Sequence, residues 1–213
     1  MVNKAVDHGQ IYDFVRDLRH DDQYPFIHCV EEYKNQKVIK WCPTQHQNIT
    51  PYKQKMIIKQ WVHMLTSTDT ALIEVQVCTK IDQKLFDALC HQKNIESLRI
   101  KWFSGNDLSS ISHLKRLKHL FIENAPSITN ITPISTLIHL ETLILGSSVK
   151  VYDYDCIANN KKLKVLGICS YQTKINERIK MKSDEFIKEL TQLEYLDLID
   201  CDIDEHLCKE YSK

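Results

Sequence analysis

Apolar residues recur along the chain in one spacing, apolar-x-x-apolar-x-apolar, between Leu72 and Leu198. The six copies are Leu72/Val75/Val77, Ile95/Leu98/Ile100, Leu117/Leu120/Ile122, Leu140/Leu143/Leu145, Leu163/Leu166/Ile168 and Leu193/Leu196/Leu198. Their first members lie 23, 22, 23, 23 and 30 residues apart. A fixed period in the twenties is typical of stacked supersecondary units, none of which can bury its apolar face alone. The pattern therefore predicts a solenoid.

Each unit is expected to begin with a short strand. Side chains alternate faces along an extended chain, so the fourth and sixth residues of a unit point inward together. A second apolar set follows at three-residue steps, which indicates a 3₁₀ or short helical segment on the outer side. Its members are Leu108, Ile111 and Leu114 in the second unit, Ile128, Ile131, Ile134 and Leu137 in the third, and Val151, Tyr154, Ile157 and Asn160 in the fourth.

Residues 1–70 lack the repeat and are predicted to form a mainly helical N-terminal cap, ahead of a repeat domain at residues 71–213. Apolar residues at three- and four-residue steps predict helices over about residues 5–19, from Pro25 through Tyr33, and from Pro51 to Leu65.

The run Lys37 to Trp41 is β-branched and aromatic and predicts a strand. Residues 38–65 are accordingly a candidate irregular, longer zeroth repeat. As an alternative, the first 35 residues dock a separate partner such as a ubiquitin-ligase adaptor, although they contain no F-box-like pattern. At the other end, Ile203 and Leu207 are expected to cover the last unit as a short C-terminal cap.

The repeats resemble the leucine-rich repeat family, in its 22- to 23-residue class found in internalins and phosphatase regulators. The motif L-x-x-L-x-L-x-x-N/C-x-L is matched best by the last unit, from Leu193 to Ile203, with Cys201 at the ladder position. Elsewhere that position holds Phe103, Ala125, Ser148 and Tyr171 in place of Asn, so looser turns are expected. The resemblance implies an α/β leucine-rich repeat solenoid: a curved parallel sheet with short outer segments and an N-terminal helical cap.

The fifth unit carries seven extra residues, which fall within 171–184 and include Lys174, Arg178, Lys180 and Lys182. A basic loop could contact phosphate or an acidic partner. The alternative is a solvated bulge, since insertions in repeat proteins map to loops.

Bulk charge points to no nucleic-acid or membrane partner. Lys plus Arg equals Asp plus Glu at 28 each, and no window is apolar enough to span a bilayer. The N-terminus has no apolar signal region, so a cytoplasmic protein with reduced cysteines is expected, in the host cytoplasm if it is a viral or bacterial effector.

No catalytic motif is present: the sequence holds no Gly-x-Gly-x-x-Gly, Walker A, Gly-x-Ser-x-Gly or His-Glu-x-x-His. We therefore predict no enzyme activity and no cofactor. Two weak metal candidates are left as alternatives to plain surface residues, namely Cys201/His206/Cys208 for zinc and the acidic cluster from Asp197 to Glu205 for calcium.

If the strands line the concave side of a curved array, as the resemblance implies, their third, fifth and seventh residues form the exposed rows. The middle of that surface is unusually apolar for positions that face water, and aromatic and charged residues flank it. Such a composition is typical of a protein-binding hot spot. The predicted site consists of Arg99, Lys101, Trp102, His119, Phe121, Ile144, Val165, Tyr195 and Asp197.

The sequence thus predicts a non-catalytic module that binds another protein through its strand-lined face. Two alternatives stay open: a substrate-receptor or adaptor subunit of a larger enzyme assembly, with the N-terminal helices docking, and a structural component of a large particle. A loop, the basic insertion or a second copy of the chain could equally cover the apolar residues.

Overall fold

The computed structural model of the chain describes residues 30–33, 36–39, 74–146, 150–168, 179–198 and 201–202. Its strands are β1 (Val30–Tyr33), β2 (Gln36–Ile39), β3 (Glu74–Ile81), β4 (Ser97–Phe103), β5 (His119–Asn124), β6 (Thr142–Leu145), β7 (Val165–Ile168), β8 (Ile179–Lys180), β9 (Tyr195–Asp197) and β10 (Cys201–Asp202). One α-helix of this part of the chain, α1 (Gln83–Cys90), follows β3.

Eight of these strands form one sheet in the order β1-β2-β3-β4-β5-β6-β7-β9. Every neighbouring pair from β2 to β9 is parallel, and the repeat positions pair in register. The fourth residues of five successive units therefore stand side by side: Leu98, Leu120, Leu143, Leu166 and Leu196. The first four are fully buried. This column confirms the predicted leucine-rich repeat solenoid.

The outer segments are short, as the three-residue steps predict. The 3₁₀ helices of the described chain are Ser109–His113, Thr132–Thr136, Asp155–Asn159 and Glu185–Glu189. The first repeat differs, because it carries the α-helix α1 in this place. Asp82 caps that helix by accepting a hydrogen bond from the Leu85 N–H, 3.1 Å long. The three-residue pattern gave no sign of this helix.

A polar side chain turns the chain into each 3₁₀ helix. Asp107, Asn130, Asp153 and Ser183 each accept a hydrogen bond from the backbone N–H two residues ahead, at 2.8 to 3.1 Å. Such local turns offer the backbone donor a partner that a helix this short cannot supply. The same side-chain-to-backbone hydrogen bond therefore precedes the 3₁₀ helix in four units.

The step from one unit to the next is held by a paired hydrogen bond. The backbone carbonyl of the second residue of a unit accepts from the first two N–H groups of the next strand region. Thus Glu96 O accepts from Lys118 and His119, and Lys164 O accepts from Glu194 and Tyr195 at 2.8 and 2.9 Å. Lys118 O and Glu141 O do the same. The side chains at this second position alternate in charge, and Lys118 binds Glu96 at 2.7 Å.

The ladder position is occupied without the usual Asn. Phe103 is buried and packs on Phe86 of α1, with ring centroids 4.7 Å apart. Ala125 is likewise buried. The thiol of Cys201 donates to the Ile168 carbonyl at 3.1 Å, which joins the last unit to the backbone of the one before. The looser turns expected at Phe103 and Ala125 stay a prediction, and Ser148 and Tyr171 lie outside the described residues.

The N-terminal predictions fare unevenly. Val30–Tyr33 is a strand paired antiparallel with Gln36–Ile39, so the helix predicted from Pro25 through Tyr33 does not extend over these residues. The β-branched and aromatic residues of the segment favour strand pairing over the helical period. β2 agrees with most of the predicted strand at 37–41 and pairs in parallel with β3, at Ile39 and Val75. The helices at 5–19 and 51–65, and with them the cap and the zeroth repeat, lie outside the described residues.

The C-terminal part of the fifth-unit insertion is bound to the outer segment of the fourth unit through Lys182. Lys182 binds Asp153 at 2.8 Å and Asp155 at 3.0 Å, and its N–H donates to the Tyr152 carbonyl. β8 then pairs in parallel with β10. Lys182 is thus a structural clamp between neighbouring units, while Lys174 and Arg178 lie outside the described residues.

The last described unit is less covered than those before it. Leu193, Leu196 and Leu198 are only partly buried, whereas Leu163, Leu166 and Ile168 are fully buried. Ile203 and Leu207, which are predicted to cover this end, lie outside the described residues. Within the residues that the structure describes, no helix is both long and apolar enough to cross a membrane.

Candidate functional site

The exposed rows of the sheet run across the strands in register. The third row is Ser97, His119, Thr142, Val165 and Tyr195, and the fifth is Arg99, Phe121, Ile144, Gly167 and Asp197. We call the surface formed by these two rows, together with Lys101 and Glu123, the strand face. The structure thus brings eight of the nine predicted residues onto one surface, and the ninth, Trp102, stands at its margin.

The centre of the strand face is apolar and only half covered. Phe121, Ile144 and Val165 are each partly buried, although they lie opposite the core. Ile144 leans across Gly167: a Cβ on that glycine would stand 2.7 Å from Ile144 Cδ1. The side chain of Ile144 therefore occupies the space that a side chain at position 167 would take. Ile144 and Gly167 thus lie against each other on neighbouring strands.

A charged group covers one edge of this centre. The Arg99 guanidinium lies over the Phe121 ring, 5.4 Å from its centroid, and binds the Glu123 carboxylate through Nε and Nη2 at 2.9 and 2.6 Å. Because both partners are partly exposed, this ion pair contributes little to stability. Its effect is to hold the guanidinium over the ring.

Lys101 and Trp102 stand beyond Arg99 at the end of β4. Both are exposed, and Trp102 is 40% exposed, unusual for an indole. Strict alternation would place Trp102 with the buried Leu98 and Ile100, not on the strand face. It escapes burial because Phe103 takes the core place at this turn. The Asn124 amide donates to the Lys101 carbonyl at 3.2 Å and fixes the backbone there.

The remaining predicted residues lie on the other margins. His119 Nδ1 is hydrogen-bonded to Thr142 Oγ1 at 3.1 Å, across β5 and β6. Tyr195, 57% exposed, and Asp197 belong to β9, at the far edge of the sheet. Two charged residues outside the predicted set lie on or beside this surface. Glu123 belongs to the seventh row, and Lys80 could not be assigned to a row from the sequence because β3 contains a bulge between Val77 and Lys80.

The described residues form no candidate metal site. Among them no group of three or more His, Cys, Asp or Glu side chains could hold a metal ion. His206 and Cys208 of the proposed zinc set lie outside the described residues. Burial raises the pKa of the Cys156 thiol to about 11, and burial likewise raises the pKa of the Cys90 thiol. Neither thiol is therefore an activated nucleophile at neutral pH.

This fold defines a class of protein, a repeat solenoid that presents one face of a parallel sheet. Residues 53–148 match the family described as R13L1/DRL21 leucine-rich repeats. This match and the register of the units agree with the leucine-rich repeat fold that the sequence predicts. Proteins of this kind generally mediate protein–protein interactions and are typically non-catalytic.

Solved structures resemble parts of the chain at low sequence identity. Internalin C2 of Listeria monocytogenes is 20% identical with a TM-score of 0.54, over 70% of this chain and 66% of that one. An internalin, InlF, of the same bacterium is 21% identical with a TM-score of 0.49, over 63% of this chain and 43% of that one. The ectodomain of the Arabidopsis receptor kinase HAESA, solved with a peptide hormone, is 13% identical with a TM-score of 0.48, over 67% and 24%.

The chain thus spans less than two thirds of each of these proteins, and the likeness concerns the fold alone. No protein among those of curated function matches the sequence.

Proposed function

We propose that this protein is a non-catalytic binding module whose strand face contacts another protein. The observation that carries the proposal is the apolar centre formed by Phe121, Ile144 and Val165. These side chains occupy positions that alternate with the core and would ordinarily be polar. A partly exposed aromatic and aliphatic centre with charged margins is the arrangement in which exclusion of water strengthens the surrounding contacts.

The rigid backbone beneath the site supports this role. Each strand under the centre is hydrogen-bonded on both sides, and the columns of buried leucines lie directly below. A surface built on regular strands loses little conformational entropy when it binds. The partner would therefore meet a preformed surface.

The adaptor alternative rests on residues 1–35. Of these, Val30–Tyr33 belong to the sheet as a strand, so they are not part of a free docking helix. No observation on the described residues favours this alternative or the structural-component alternative over a simple binding module.

The test is the double variant Phe121→Asp/Ile144→Asp, compared with Ile138→Asp. Ile138 is 62% exposed, lies outside the strand rows and supplies a matched control for adding a carboxylate at an exposed apolar position. We expect both proteins to keep the wild-type circular dichroism spectrum. Proteins that co-purify with the wild type and with Ile138→Asp should be absent from the double variant. Equal recovery with all three would exclude the strand face as the binding surface.

A further inference from the structure

The strand face is chemically asymmetric about its apolar centre. On the side of β3 and β4, three exposed residues, Lys80, Lys101 and Trp102, stand together. Lys80 and Trp102 are register partners across the two strands, and Lys101 precedes Trp102 in the chain. We call these three residues the cationic end. At the opposite end, β9 presents the exposed Tyr195 and follows the exposed Glu194.

The two lysines of the cationic end are not neutralised by the described residues around them. Arg99 forms an ion pair with Glu123, whereas neither Lys80 nor Lys101 forms one with any described residue. Trp102 is exposed and pairs in register with Lys80. A carboxylate that arrives at this margin would meet an ammonium group that no described carboxylate pairs, beside an apolar surface, a setting in which charged contacts act more strongly than in open water.

We propose that the partner contributes a polar-to-apolar segment: acidic side chains over the cationic end, followed by apolar side chains over Phe121, Ile144 and Val165. The inference rests on the proposed function and adds the chemistry and the direction of the bound segment. Parallel strands lie about 4.8 Å apart, so the four steps from β4 to β9 cover roughly 19 Å. An extended segment rising about 3.3 Å per residue crosses this distance in about six residues.

The surface favours a peptide over a nucleic acid. A phosphate backbone that bound at Lys80 and Lys101 would continue over the apolar centre and past the Glu123 carboxylate. Its next phosphates would be desolvated there without a cation to compensate them. A peptide with acidic residues at one end only meets no such penalty.

The test is a selection from a displayed library of random 12-residue peptides on the immobilised full chain. We expect enriched peptides to carry Asp or Glu at one end and aliphatic or aromatic residues next to it. The variant Lys80→Glu/Lys101→Glu should instead enrich Lys or Arg at that end. For one selected peptide, Lys101→Gln should weaken binding by about three- to tenfold, and the loss should shrink at high salt. Lys84→Gln, an exposed lysine on α1, is the matched control and should leave the affinity unchanged.

The outcomes separate this inference from the function beneath it. If selected peptides lose binding to Phe121→Asp/Ile144→Asp but show no acidic preference, the strand face binds and the proposed polarity is wrong. If no peptide is enriched, or if the double variant binds the selected peptides as well as the wild type does, both proposals are overturned. Both proposals would be established if the selected peptides require the apolar centre and if their charged end is acidic on the wild type but basic on Lys80→Glu/Lys101→Glu.

Discussion

At the scale of single residues, Asn160 is the exception in an otherwise apolar core. It stands where the other units have Leu114, Leu137 and Leu190 before the next repeat, and it is fully buried. Its amide donates to the carbonyls of Ile134 and Leu137 at 3.1 and 3.0 Å, while its side-chain oxygen has no partner among the described residues. Both carbonyls already accept a backbone N–H, so neither would be left without a hydrogen bond if the Asn160 amide were removed.

This arrangement predicts opposite outcomes for two substitutions at that position. Asn160→Leu should change the free energy of unfolding by less than about 1 kcal/mol, because the leucine removes an unpaired oxygen and matches its column. Asn160→Asp should lower the free energy of unfolding by about 3 to 5 kcal/mol, since a buried carboxylate would face two carbonyl oxygens. Urea unfolding at pH 7 measures both. Similar losses for the two variants would contradict the assigned hydrogen bonds.

At the scale of the elements, the chain uses local polar contacts to position segments that are too short to be stable alone. The clearest case is the insertion, whose return is fixed by Lys182. The pKa of the Asp153 carboxyl is lowered, chiefly because Lys182 donates a hydrogen bond to it and secondly because the Asp155 N–H does. A carboxyl with a lowered pKa stabilises the folded state above its unfolded-state pKa, and this contribution disappears as the pH falls through the folded-state pKa.

Lys182→Met should therefore raise the pKa of Asp153 toward the ordinary range for aspartate. Carboxyl-carbon NMR titration of labelled protein measures this directly, with Asp107 as the internal control. The pKa of Asp107 is lowered by its hydrogen bonds with Ser109, so it should not change. In unfolding experiments the variant should be less stable than the wild type above about pH 4, and this difference should shrink as the pH falls further, because the wild type then loses the same contribution. An unchanged Asp153 titration would show that the clamp is not formed in solution.

The elements also show what could be predicted from sequence. The parallel strands and the 3₁₀ helices were predictable because each unit repeats the same spacing, so six weak local patterns reinforce one another. The helix α1 and the strand β1 were not, since each occurs once and its local pattern fits more than one structure. The site was predictable as a row of positions. Its details, such as Ile144 over Gly167 and the exposure of Trp102, depend on packing between units and not on spacing.

At the scale of the whole molecule, stability comes from contacts between neighbouring units. The buried leucine columns run across the sheet, and each outer 3₁₀ helix of the described chain packs on the outer helix of a neighbouring unit. In such a solenoid the effect of a lesion spreads mainly to the adjacent repeats.

Leu143→Ala should lower the free energy of unfolding by about 2 to 5 kcal/mol, because the cavity lies in the middle of the column. Hydrogen exchange should then accelerate most in β5, β6 and β7, with a smaller change in β3 and α1. Ile138→Ala, at a surface position, should change the free energy of unfolding by no more than about 0.5 kcal/mol and should leave the pattern of hydrogen exchange unchanged. Equal acceleration along the chain would indicate a single all-or-none unit.

The backbone carbonyl that accepts two N–H groups from the next unit allows the units to differ in length. Lys164 O accepts hydrogen bonds from the N–H groups of Glu194 and Tyr195, as Glu96 O does from those of Lys118 and His119, even though the intervening segment is eight residues longer. An insertion within one unit therefore does not shift the strand of the next unit out of register. Loops of different length and binding specificity can be accommodated between these paired hydrogen bonds while the strands stay aligned.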